Sequence, residues 1–174
     1  MMTSKNLASK KGLIIADAGP IFSLAIIDKL KILDLLFNEI KIPKAVWEEI
    51  TLDKTTKHYQ RIHDYFYNKT AQINNFNDLS FLMDYGESEA IILYKELEAD
   101  FLLIDDKKAR KIAENFEINC IGTIGLLVIA KRRKLISRLK PLFIRFLDNK
   151  RFYAISLLNT ILLQENESLI NNDL

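Results

Sequence analysis

The chain has 174 residues, 49% of them hydrophobic, and a formal charge of +2 from 25 basic and 23 acidic side chains. That length suits one domain with a sizeable core, and the composition argues against a disordered chain. The balanced charge gives no support by itself for a polyanionic partner, and no apolar run approaches the roughly 20 residues needed to span a bilayer. One cysteine, Cys120, excludes an internal disulfide; with no signal peptide this predicts a reducing, cytoplasmic setting.

Residues 1–11 are polar and basic and read as a flexible N-terminal arm. Leu13 to Ala16 is a short apolar run ending at Asp17, which predicts a strand buried on both faces. Ala18-Gly19-Pro20 turns the chain into a helix over Ile21 to Lys29, and Lys31 to Phe37 forms a second helical piece. Glu39 to Ile42 reads as a strand stopping at Pro43, followed by a helix from Lys44 to about Leu52. Thr55 to Tyr67 reads as helical and carries His58 and His63 as surface residues, while 71–79 gives the weakest signal. Asp84 opens a strong helix to about Glu98, with Ala90, Leu93, Tyr94 and Leu97 at i, i+3, i+4 and i+7. Phe101 to Ile104 reads as a buried strand, Lys107 to Phe116 as a helix, and Glu117 to Ile121 as a strand enclosing a buried, inert Cys120 thiol. Helices over Thr123 to Arg133, Arg138 to Leu147 and Tyr153 to Glu165 follow, and residues 167–174 are expected to fray. Alternating strands and helices predict an α/β fold, a mostly parallel central sheet flanked by helices.

Common nucleotide motifs are missing: the chain has no G-x-G-x-x-G and no Walker Gly-x4-Gly-Lys. No Gly-x-Ser-x-Gly elbow supports a serine hydrolase. The two histidines are five apart, which does not match His-x3-His, so zinc has no support. Acidic residues remain. Asp17, Glu48-Glu49, Glu87 with Glu89, and Asp105-Asp106 each follow an apolar run or open a helix. Taken singly they read as helix caps and first-turn acids, but capping needs one acid per helix and here they are doubled three times. Carboxylates gathered at the carboxyl ends of parallel strands repel unless a hard cation neutralises them. Oxygen-only ligands suit Mg²⁺ or Mn²⁺, ions that clamp a phosphodiester and activate water.

The basic run Lys131-Arg132-Arg133-Lys134 reads as a solvated helix face or, second, a phosphate contact. Lys107, Lys108, Arg110 and Lys111 abut Asp105-Asp106, where a polyanionic substrate would need cations.

Four segments together carry a resemblance. They are Asp17 after the first strand, Pro43-x2-Val46-x2-Glu49, Gly86-Glu87-x-Glu89-Ala90-Ile91, and Asp105-Asp106-x2-Ala109-Arg110. In order and spacing they resemble the PIN-domain nucleases, closest to the small prokaryotic VapC-like branch, as does Phe152-Tyr153-x2-Ser156. The resemblance implies a three-layer PIN-like sandwich over residues 12–166 and a metal-dependent endoribonuclease. It assigns catalysis to Asp17, Glu49, Glu87 and Asp105, and ligation of Mg²⁺ or Mn²⁺ to Asp17, Glu87 and either Asp105 or Asp106. It leaves Glu48 the lesser choice beside Glu49, and Glu89 an extra acid without a role. Charge and position add Lys107, Lys108 and Arg110 as RNA contacts. The branch further implies a homodimer, a small antitoxin partner and a toxin role. Against this stands a catalytically inactive PIN-like module that binds RNA or a protein.

Overall fold

The computed structural model describes residues 11–151 and 153–170. Strand β1 (Lys11–Ala16) leads into α1 (Ala18–Ile26) and α2 (Ile32–Leu36), then β2 (Phe37–Pro43), α3 (Lys44–Ile50) and α4 (Tyr59–Phe66). The two-residue β3 (Thr70–Ala71) and a 3₁₀ turn at Asp78–Phe81 precede α5 (Tyr85–Glu96). Strand β4 (Phe101–Leu103), α6 (Lys107–Asn115), β5 (Cys120–Ile121), α7 (Thr123–Arg132), α8 (Lys140–Asp148) and α9 (Ile155–Gln164) complete the chain.

The five strands pair in the order β3-β2-β1-β4-β5, every pair parallel. The apolar β1 sits in the centre because it must bury both faces. Ile14 and Ala16 pack into one core with Leu103, Leu24, Leu127, Phe143 and Phe146. Ile15 points the other way, into a second core with Leu102, Ile104, Ala90, Ile91 and Ala113. This period-two alternation makes three layers: α1, α7, α8 and α9 on one face, the sheet, and α5 with α6 on the other.

Lys11, the last residue of the expected arm, is the first of β1 and pairs with Phe37; residues 1–10 lie outside the described residues. At the other end the chain is tied down past 166. Glu167 accepts the amides of Leu139 at 2.7 Å and Lys140 at 2.9 Å, and the buried Ile170 exchanges two hydrogen bonds with the Asn159 side chain. Residues 171–174 of the expected frayed end lie outside the described residues.

The basic run after α7 is neither a bare solvated face nor a free phosphate site. Lys131 pairs with Glu167 at 2.6 Å and Arg132 with Glu165 at 2.6 Å, so these cations clamp the C-terminal segment. Both histidines are partly buried instead of lying on the surface, and the His63 ring packs against Trp47, tilted at 48° with centroids 5.3 Å apart. Cys120 is half-buried, and burial pushes its thiol up, which keeps it unreactive.

Candidate active site at the carboxyl edge of the sheet

In a parallel βα fold each helix after a strand begins at the carboxyl edge of the sheet. Four acids therefore meet four helix N-termini there. Asp17 accepts Gly19 N–H at 3.4 Å at the start of α1, and Asp106 accepts Ala109 N–H at 2.8 Å at the start of α6. Asp105 accepts the first amide of α7, Thr123 N–H, at 2.7 Å. Glu89, from α5, accepts Ala45 N–H of α3 at 3.0 Å; α3 has no side-chain cap of its own, since Pro43 occupies that place. Capping and convergence are thus one arrangement, and Glu89 acquires a role as a buried cross-helix cap.

Asp17 ends the central strand, and its N–H donates to Leu103 O of β4 at 3.0 Å. It is only 6% exposed. Burial pushes its carboxyl up to about 6; the amides of Ala18 and Gly19 pull it back, while the charges of Glu49 and Asp105 push it further. Glu87, in the first turn of α5, is pushed up to about 7, by burial first and then by Asp17, Asp106 and Asp84. Glu49, on α3, is raised by burial and then by Asp84.

The approach of α5 to these acids depends on Gly86. A Cβ there would stand 3.2 Å from Glu49 Oε2, 3.4 Å from Val46 Cγ2 and 3.9 Å from Asp17 Oδ1. Glu48 is exposed and pairs with Lys44 at 3.5 Å on the helix surface, so Glu49 is the acid of that pair at the site.

The aspartate pair divides. Asp105 is held at both oxygens, by Thr123 N–H and Oγ1–H at 2.7 Å each and by the Tyr153 hydroxyl at 2.8 Å. Its charge reaches Asp17, whereas that of the exposed Asp106 reaches Glu87. Arg110 shares the space above Gly122 with Asp105: a Cβ there would lie 3.2 Å from Arg110 Nη2 and 3.3 Å from Asp105 Oδ1. Lys107 and Lys108 are exposed in the first turn of α6.

Sequence reading missed Asp84, Thr123, Ser23 and Arg151 as site residues, and it marked Tyr153 only as part of the family resemblance, with no role. Asp84 carried a signal, since it directly precedes Glu87's helix; the others reach the site only through the tertiary fold. Ser156 is exposed, and Phe152 lies outside the described residues.

Among the described residues, no three Asp, Glu, His or Cys side chains stand in ligating geometry. The donor chemistry still fits a hard divalent cation. The candidate ligands are all carboxylates, and burial first, then their mutual charges, lift Asp17 and Glu87, a conflict that a bound cation would relieve.

A PIN-domain family model, DUF3368, matches residues 13–167. The chain belongs to the PIN-domain family. The parallel sheet flanked by helices is the sandwich expected of a PIN domain. PIN domains are in general nucleases, hydrolases that bind nucleic acid and use divalent metals. No curated protein and no solved structure matched the chain.

Proposed function

We propose that this PIN domain is a divalent-cation-dependent endoribonuclease. Asp17, Glu87, Asp105 and Asp106 would hold Mg²⁺ or Mn²⁺. The observation that carries this reading is the gathering of carboxylates at the sheet edge, where the space over Gly86 is shared by Glu49 and Asp17, and where burial first and neighbouring carboxylates second raise Asp17 to about 6 and Glu87 to about 7. When bound, the cation supplies charge neutralisation and a more acidic water for in-line attack at phosphorus.

The chain's own residues do the rest. Asp17 is fixed in place by its backbone bond to β4 and by the N-terminus of α1. Thr123 and Tyr153 hold Asp105 in one orientation. Glu49, beside Gly86, orients the attacking water or completes the acidic pocket. Lys107, Lys108 and Arg110 bind RNA phosphates. Cations in a first helical turn oppose the helix dipole at a cost of about 0.3–1 kcal/mol. Lys107 and Lys108 make no hydrogen bond or ion pair among the described residues that would offset it. A polyanion would.

The VapC-like resemblance extends the proposal to a cytoplasmic homodimer, the toxin of a pair held by a small antitoxin. No described helix is long and apolar enough to cross a membrane.

A non-catalytic PIN module, binding RNA or a protein, is the second reading; the lack of a closed ligand set among the described residues favours it. A circular RNA separates the two. An endoribonuclease opens the circle in Mg²⁺ or Mn²⁺ and leaves it intact in chelator. A circle bound but never opened supports the binding module.

A further inference from the structure

The link between α8 and α9 crosses back to the start of α1 and carries two polar side chains to the acidic edge. Tyr153 donates to Asp105 and lies 3.1 Å from the fully buried Ser23 Oγ. Arg151 donates from Nε to the same Ser23 Oγ at 3.0 Å and from Nη2 to Gly19 O at 2.9 Å. A Cβ on Gly19 would stand 3.9 Å from Arg151 Nη2 and 3.7 Å from Asp17 Oδ2. The guanidinium and the Asp17 carboxylate therefore border the same small space, within about 8 Å of each other by those two distances.

Arg151 forms no ion pair among the described residues. Both of its acceptors are neutral oxygens. Two of its five N–H donors are spent on them, which leaves the charge without a carboxylate partner and the remaining donors without a protein acceptor among the described residues. A link that only needed pinning to α1 could use neutral donors. A full charge, oriented by two bonds and set beside carboxylates without closing on them, suits an anion that arrives with the substrate. On the opposite flank, Arg110 shares the space above Gly122 with Asp105. Asp17 and Asp105 thus each have a guanidinium bordering the same space.

We infer that Arg151 is a phosphate-binding residue of this site, contacting the RNA backbone on the Asp17 flank. The inference rests on the nuclease reading for its substrate class.

The test is binding of a fluorescein-labelled single-stranded RNA by anisotropy across a salt series. The Asp17→Asn chain is compared with the same chain also carrying Arg151→Ala or Arg151→Lys, all below their unfolding midpoints. Losing one phosphate contact lowers the slope of log K against log salt by about 0.7. Arg151→Ala is expected to show that loss with weaker binding, and Arg151→Lys to keep the slope. A merely structural arginine would leave the slope unchanged in both variants, which overturns the proposal. Cleavage by the native chain is scored in parallel. Native cleavage with an unaltered Arg151→Ala slope rejects the role of Arg151 alone. No cleavage, with Arg151-dependent binding, rejects catalysis and keeps the contact. Neither binding nor cleavage overturns both.

Discussion

Gly86 shows how one missing side chain serves a site. Alanine in a helix interior is normally worth about 1 kcal/mol over glycine, an upper bound at Gly86, the second residue of α5. Here the added Cβ would press on Glu49 Oε2 at 3.2 Å, the movable end of a side chain, while Val46 Cγ2 sits at ordinary contact distance. Gly86→Ala should change stability by less than about 1 kcal/mol in a thermal melt. The displaced Glu49 should cost at least about tenfold in cleavage, roughly 1.4 kcal/mol of transition-state stabilisation. A full loss of folding would instead mark Gly86 as structural. Asp17 gives a prediction with a defined sign. Its folded carboxyl titrates at about 6 against an ordinary 3.8, so between those values the folded state holds the extra proton. Stability therefore falls as pH rises from about 4 to about 6, with Asp17's share on the order of 3 kcal/mol. Glu87 adds the same sign from its ordinary 4.5 up to about 7. In chelator near pH 7.5, Asp17→Asn should melt higher than the native chain, because Asn keeps the cap and removes the repelled charge. Mg²⁺ should raise the native midpoint and leave the variant unmoved. The candidate acids were legible in the sequence because each follows an apolar run or opens a helix. Arg151 was not, and Tyr153 was marked without its role, because their partners lie 48 to 132 residues away along the chain.

At the scale of elements, six helices share one ending. Asp28, Glu98, Glu117, Lys134, Lys150 and Asn166 each follow a helix with φ between 49° and 61°, and no glycine takes a positive φ. After each, the next residue's N–H closes back over the last turn, as in Lys29 to Leu24 O at 2.8 Å and Ile118 to Ala113 O at 3.2 Å. A left-handed non-glycine residue costs roughly 1–2 kcal/mol. Glycine relieves this but adds unfolded-state entropy. Glu117→Gly, at an exposed position, should then raise stability by up to about 1 kcal/mol, or about 2–4 °C in melting midpoint. A lower midpoint would show that the Glu117 side chain contributes more than its strain costs. These endings explain why the expected helices overran. With only 5 Gly in the chain, the usual stop signal is absent, and α1 ends at Ile26 instead of Lys29. Strand β3 has two residues, too few for alternation to register in sequence, and β5, expected over Glu117 to Ile121, is confined to Cys120–Ile121. Helices α5 and α6 were readable because their apolar spacing runs for several turns.

For the whole molecule, the decisive property is strand order. The chain builds β2 and β3 on one side of β1, then crosses to place β4 and β5 on the other. The reversal falls between β1 and β4, and in open parallel sheets sites form at the carboxyl ends of the strands at such a point. Asp17 and Asp105 follow those two strands, and α5 enters the same edge with Glu87. Helix N-termini make the gathering tolerable, since their amides offset part of the negative charge. Fold class was readable from alternating elements, but the sheet order was not, because β3 gives almost no local signal. The most direct test of the central claim is cleavage of a mixed pool of structured and single-stranded RNA by the native chain and by Asp17→Asn, in Mg²⁺ or Mn²⁺. Cleavage that requires the ion and is lost in the variant is the predicted result; equal cleavage by both, or none by the native chain in either ion, would contradict it.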